Sequence, residues 1–158
     1  IYEGTNTIQS LDLLGRKVLG NNGATLKKFG RLVGALVEAE GVNEKMAEFI
    51  NPLAQLGDQT TKFTTEIGFK AFQNPDEAGA AAVDYLRVAG HLVFGYFFAR
   101  MASVALQQIA AGNTDPFYGA KLQTARFYFA KLFPETATLM RTARSGAKVL
   151  MDTDAVFA

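Results

Sequence analysis

One carboxylate stands apart at the start of this chain. Glu3 lies between Tyr2 and Gly4 in the run Ile1-Tyr2-Glu3-Gly4-Thr5-Asn6-Thr7-Ile8-Gln9, and polar residues lead from it straight into a helical pattern. A carboxylate held in an apolar, substrate-filled site is pushed toward the working range of a general base. A glycine beside it lets the backbone come close to a ligand, and a helix beginning just beyond offers N–H groups that have no partner within the helix. Without such surroundings Glu3 is a solvated acid near a chain end.

Other chemistry has little to work with. The chain has no cysteine, which removes disulfides, thiolate catalysis and cysteine-ligated metals. Its one histidine, His91, rules out a multi-histidine centre, and the paired Glu-x-x-His elements of a di-iron bundle are missing, so no metal site is expected. His91 lies among Leu, Val and Phe and reads as a packing residue. Gly20-Asn21-Asn22-Gly23 lacks the Lys-Ser/Thr of a phosphate loop. Asp58, Lys62, Glu66 and Lys70, each four apart, read as a solvated helical stripe. The aromatics at 117–133 read as core or interface. A net charge of +1 gives no electrostatic footprint for nucleic acid.

The elements that must position Glu3 are helices. With 158 residues, 49% of them apolar, the chain has room for one domain with a real core. The expected fold is all-α, an up-and-down antiparallel bundle of five to six helices. The spacing predicts helices near 6–19, 24–40, 44–72, 76–111, 116–132 and 135–151. The first should bury Ile8, Leu11, Leu14 and Val18, and the second Leu26, Phe29, Val33 and Leu36. Phe49, Leu53, Leu56, Thr60, Phe63 and Ile67 step by 4, 3, 4, 3, 4, the seam of a left-handed bundle. Pro52 inside that segment predicts a kink or break near Asn51. Gly20, Gly41 and Gly112 mark helix ends, while Asn43, Asn74-Pro75 and Asp115-Pro116 mark starts. From Val83 to Ile109 the chain is apolar on almost every side, which predicts a central helix. The apolar run 91–99 is shorter than the ~20 residues a membrane span needs.

The first nineteen residues, Ile1-Tyr2-Glu3-Gly4-Thr5-Asn6-Thr7-Ile8-Gln9 running on through Asp12-Leu13-Leu14-Gly15-Arg16-Lys17, resemble the end of the catalytic domain in the acyl-CoA dehydrogenase family. There a Tyr-Glu-Gly-Thr turn leads into a helix that starts Asn-x-Ile-Gln. The resemblance implies an FAD-dependent enzyme that oxidises acyl-CoA to the trans-2-enoyl-CoA and passes electrons to a separate acceptor. It implies that Glu3 is the base removing the α-proton of the thioester. Gly4 would lie against the substrate, with Thr5, Asn6 and Thr7 approaching the FAD. In the family the thioester oxygen is held by the base residue's own N–H and a flavin ribityl hydroxyl, an oxyanion-hole device.

The long helical continuation resembles the bacterial branch of that family with an extra C-terminal domain. The expected division is 1–20, the end of the catalytic domain, and 21–158, a helical extension with a structural or homo-oligomerising role. The opening isoleucine suggests a piece of a longer chain, on its own inactive and not expected to hold FAD. A cytoplasmic location is expected. A membrane contact ranks low, because no face in the sequence combines a basic rim with large apolar residues. The rival reading is a free-standing helical interaction module without catalysis.

Overall fold

The computed structural model describes residues 4–152 and is helical almost throughout. Its elements are α1 (Asn6–Leu11), continued by a π-helical stretch (Asp12–Val18) and a 3₁₀ turn (Leu19–Asn21), α2 (Ala24–Glu40), α3 (Ala47–Gln73) after a 3₁₀ turn (Glu44–Met46), α4 (Asp76–Ala110), α5 (Pro116–Phe127) running into a π turn (Tyr128–Leu132), α6 (Glu135–Ala143) and α7 (Lys148–Met151). The short connections place successive long helices antiparallel. At 35 residues α4 is the longest, roughly 52 Å at 1.5 Å per residue. It is the hub of the bundle, packed against α1, α3, α5 and α6, while α2 packs mainly on α3.

Local chemistry explains the boundaries. Asn43 Oδ1 accepts from Lys45 N (3.2 Å), Asn74 Oδ1 from Asp76 N (3.1 Å) and Asp115 Oδ1 from Phe117 N (2.9 Å), each relieving an orphan donor at a helix start. Pro116 occupies the first turn of α5, where its missing N–H costs nothing. Gly112, at φ 82°, ends α4 as expected. The other two expected stops differ. After the first helix the left-handed residues are Asn22 and Gly23, not Gly20. Gly41 is right-handed at φ −62°; a Cβ there would come within 2.8 Å of the Val37 carbonyl oxygen, so close approach explains that glycine and backbone handedness does not.

The seam of α3 is buried along its whole length, from Phe49 through Leu53, Leu56, Thr60 and Phe63 to Ile67. The helix is unbroken across Pro52. Pro52 lies in the second turn, so the one bond it removes is close to a helix end that is already incompletely bonded.

Three other expectations are corrected. In the first helix Ile8 and Leu11 are exposed, and the buried residues are Ser10, Leu14 and Val18. The stretch after Leu11 makes i→i+5 bonds, and such a turn advances less angle per residue. Residues four apart therefore stay on one side, and the inward face shifts to 10, 14 and 18. In α2 only Val33 is fully buried, while Leu26, Phe29 and Leu36 are half-buried. The last helix is split: Gly146, at φ 79°, separates α6 from α7.

Candidate functional site

The base-bearing turn comes first. Glu3 lies outside the described residues. Gly4 and Thr5 form a turn, and Thr5 is the cap residue of α1, its carbonyl accepting from Gln9 N at 2.9 Å. Gly4, Thr5, Asn6 and Thr7 are all exposed. They are brought together on one side of the molecule as a short polar edge, which the buried part of the helix holds in place. Ser10 Oγ donates to the Thr7 carbonyl at 2.7 Å, and Leu14 is completely buried. Asp12 pairs with Arg16 and with Lys17 (3.0 Å), and these cations hold its carboxyl down at about 2.

The exposed polar groups of this edge include the Thr5 and Thr7 hydroxyls. It encloses nothing, so a cofactor held there needs its other walls from elsewhere. Among the described residues no group of three or more Asp, Glu or His could hold a metal ion.

Among the described residues a groove of about 960 Å³ lies between α2 and α3, and two others bear on the expectations. One, of about 660 Å³, runs between the end of the first helix, α2 and α3, lined by Gly15, Leu19, Lys27, Thr61, Gly68 and Phe72 among others. The other, about 380 Å³, lies between α4 and α5, with Phe97, Met101, Val104 and Phe117 as its apolar lining and Arg100 and Lys121 at its edges. That second groove corrects the expectation that no face joins basic residues to large apolar ones. Arg100 and Lys121 belong to different helices, and only the packing of α5 beside α4 brings them together.

The polar cluster at His91 was not legible beforehand. His91 Nδ1 is 2.9 Å from the Tyr128 hydroxyl, and Nε2 is 3.1 Å from Glu135, which also pairs with Arg87. Burial, followed by the charge of Glu135, pushes the Tyr128 hydroxyl up to about 12. Arg87 and His91, four apart on α4, were a faint hint; their partners come from the π turn after α5 and from α6. The cluster ties α4 to α6 and to the turn before it, and His91 is half-buried within it, in keeping with a packing position. Of the charged stripe, Glu66 and Lys70 pair at 3.5 Å, but Glu66 also reaches Arg144 of the segment after α6 at 2.7 Å.

The fold defines an all-α bundle of long helices gathered round α4, with an exposed polar turn at its N-terminal end. Residues 24–154 match the family described as "Acetyl-CoA dehydrogenase C-terminal like", and the chain belongs to that family. It is 33% identical over 139 residues to 3-methylmercaptopropionyl-CoA dehydrogenase of Ruegeria pomeroyi, covering 85% of this chain and 23% of the relative. It is 27% identical to the broad-specificity linear acyl-CoA dehydrogenase FadE5 of Mycobacterium tuberculosis, over 85% of this chain and 23% of that protein. Against a butyryl-CoA dehydrogenase of Syntrophomonas wolfei it is 27% identical over 93% of this chain and 25% of the relative. The chain therefore spans about a quarter of the length of the curated relatives it matches.

Proposed function

We propose that this chain is the C-terminal part of an FAD-dependent acyl-CoA dehydrogenase, carrying its catalytic base and a helical extension. The observation that carries the reading is a coincidence of two independent signals. The family match begins at residue 24, and the base motif lies just before it, in residues 1–9. Three relatives named as acyl-CoA dehydrogenases support the same class.

In this reading Glu3 takes the α-proton of the bound thioester onto its carboxylate, and the Glu3 N–H donates to the thioester oxygen as enolate charge develops. Gly4 keeps the backbone close to the acyl group. Thr5, Asn6 and Thr7 hold one edge of the FAD, which when bound supplies the acceptor for the β-hydride. Residues 1–20 close the catalytic domain and residues 21–158 form the extension, whose role is structural or oligomerising. Electrons leave for a separate acceptor, and the enzyme works in the cytoplasm.

The test is turnover of acyl-CoAs of graded chain length by the full-length protein and by its Glu3→Gln variant. Loss of about three or more orders of magnitude in rate fits removal of a positioned base. Near-wild-type turnover excludes Glu3. The 158-residue chain mixed with FAD should show no tight, stoichiometric binding, because it spans about a quarter of the length of its relatives.

A further inference from the structure

His91 is the one histidine of the chain, and both of its ring nitrogens are engaged. Nε2 lies 3.1 Å from the Glu135 carboxylate and Nδ1 lies 2.9 Å from the Tyr128 hydroxyl. An ionised carboxylate only accepts, so Nε2 carries a proton. In the neutral ring Nδ1 is then a bare acceptor, and the Tyr128 O–H donates to it. A second acceptor stands near the same hydroxyl: the backbone carbonyl of His91 itself, at 3.4 Å.

We infer that His91 and Tyr128 form a proton-driven switch, in which a second proton taken up at Nδ1 turns the Tyr128 hydroxyl from Nδ1 to the His91 carbonyl. In the neutral state the hydroxyl donates to Nδ1. In the charged state it accepts from Nδ1–H and donates to the carbonyl. One proton enters from water and none leaves; the ring becomes a cation facing Glu135, and Tyr128 keeps its own proton.

Three observations carry the switch. The first is a difference in roles. Glu135 can play one part only, whereas a hydroxyl both donates and accepts, so the carboxylate sets the tautomer and the phenol follows. The second is access. The Glu135 side chain is 41% exposed and that of His91 14%, so a proton reaches the pair from solvent, while Tyr128 is buried. The third is that Tyr128 stays a hydroxyl. Burial and Glu135 push it up to about 12, far above the range in which an imidazole titrates. Its ring stacks on Phe98 at 4.4 Å and meets Phe94, Phe129 and Phe133, so the ring is held and only the O–H rotates.

Among the described residues the titratable groups bonded to the ring or to its partners are Tyr128 from the π turn, Glu135 from α6 and Arg87 from α4 itself. Arg87 meets Glu135 Oε1 and His91 meets Oε2, so one carboxylate serves both cations. The switch stands on these contacts and does not depend on the catalytic reading.

Ring-nitrogen NMR of the 158-residue chain tests this, from about pH 8 down to about pH 5, the span over which an imidazole titrates. At the upper end the Nε2–H tautomer should outnumber the Nδ1–H tautomer at least about tenfold, as a bond to a charged acceptor implies. As His91 protonates, the Cζ signal of Tyr128, identified by its loss in Tyr128→Phe, should move with the same midpoint. Tyr128→Phe should keep the tautomer, whereas Glu135→Leu should lose most of the preference. Glu135→Gln, which should lower it as well, is the second variant should Glu135→Leu disturb folding, with circular dichroism as the check. Where the isolated chain is not folded, the same signals are read in the full-length protein, with His91→Gln identifying them. A neutral ring protonated mainly at Nδ1 overturns the proposal. So does a tautomer ratio indifferent to both Glu135 variants, or a Tyr128 signal that ignores the His91 titration.

Discussion

The ring of Phe133 lies against the bare backbone of Gly95, so close that a Cβ on residue 95 would come within 2.6 Å of it and within 3.3 Å of Leu53. Gly95 is where α4 lets the end of the α5 π turn reach the core. Phe133 is in turn fixed by Phe129 (4.8 Å between centroids) and by contacts with His91 and Tyr128, so it has little freedom to retreat.

Gly95→Ala is therefore expected to destabilise the chain despite alanine's better helix propensity. Overpacking a core costs ~1–3 kcal/mol, against ~1 kcal/mol gained from replacing a mid-helix glycine. The net loss should be up to about 2 kcal/mol, measured by urea unfolding. An unchanged midpoint would mean the ring moves aside freely.

Tyr128 gives an alkaline signature. Its hydroxyl is pushed up from its ordinary value near 10 to about 12, first by burial and then by Glu135. The fold thus favours the neutral phenol. That contribution is complete below pH 10 and is lost as pH rises through 12. Thermal scans between pH 9 and 12 should show wild type losing stability more steeply than Tyr128→Phe. The difference should be at most about 2–3 kcal/mol, two units at 1.36 kcal/mol each.

The Thr64 hydroxyl donates to the Thr60 carbonyl at 2.7 Å, so its bond to Tyr85, also 2.7 Å, must be donated by the Tyr85 O–H. Tyr85 is buried and its ring stacks on Phe63. Tyr85→Phe keeps the stack and removes the donor, an expected loss of about 1 kcal/mol in chemical denaturation. Thr64→Val removes the acceptor and leaves the Tyr85 hydroxyl unpartnered, so it should cost more, about 1–3 kcal/mol.

Gly146 combines φ 79° with the Glu77 carboxyl, whose oxygens lie 3.0 and 3.1 Å from where a Cβ would stand. Glu77 Oε1 also accepts from Ala147 N at 3.1 Å, tying the start of α4 to the start of α7. Gly146→Ala should cost about 1–2 kcal/mol from the left-handed backbone alone. Hydrogen exchange should show it as faster exchange at Ala147 and in α7, leaving the centre of α4 protected.

Regular periodicity was readable in the sequence because a straight α-helix maps spacing onto faces. The α3 seam from Phe49 to Ile67 and the caps at Asn43, Asn74 and Asp115 came directly from that rule. So did the central place of α4, since a helix without a polar face must be surrounded. The Glu3 motif rests on residue order alone, and Glu3 lies outside the described residues.

What only the tertiary structure decided begins where that mapping fails. The i→i+5 turn after Leu11 moved the buried face from Ile8 and Leu11 to Ser10, Leu14 and Val18. Spacing in a sequence does not announce such a turn, because its bonds are held by packing on α4. The pairing of His91 with Tyr128 and Glu135, and the placing of Arg100 and Lys121 on one groove, likewise bring together residues far apart in the chain. Above all, residue spacing leaves α4 apolar on almost every side. Which side faces the core was settled by the packing of α3, α5 and α6, and that choice left Phe94, Phe97 and Val104 exposed.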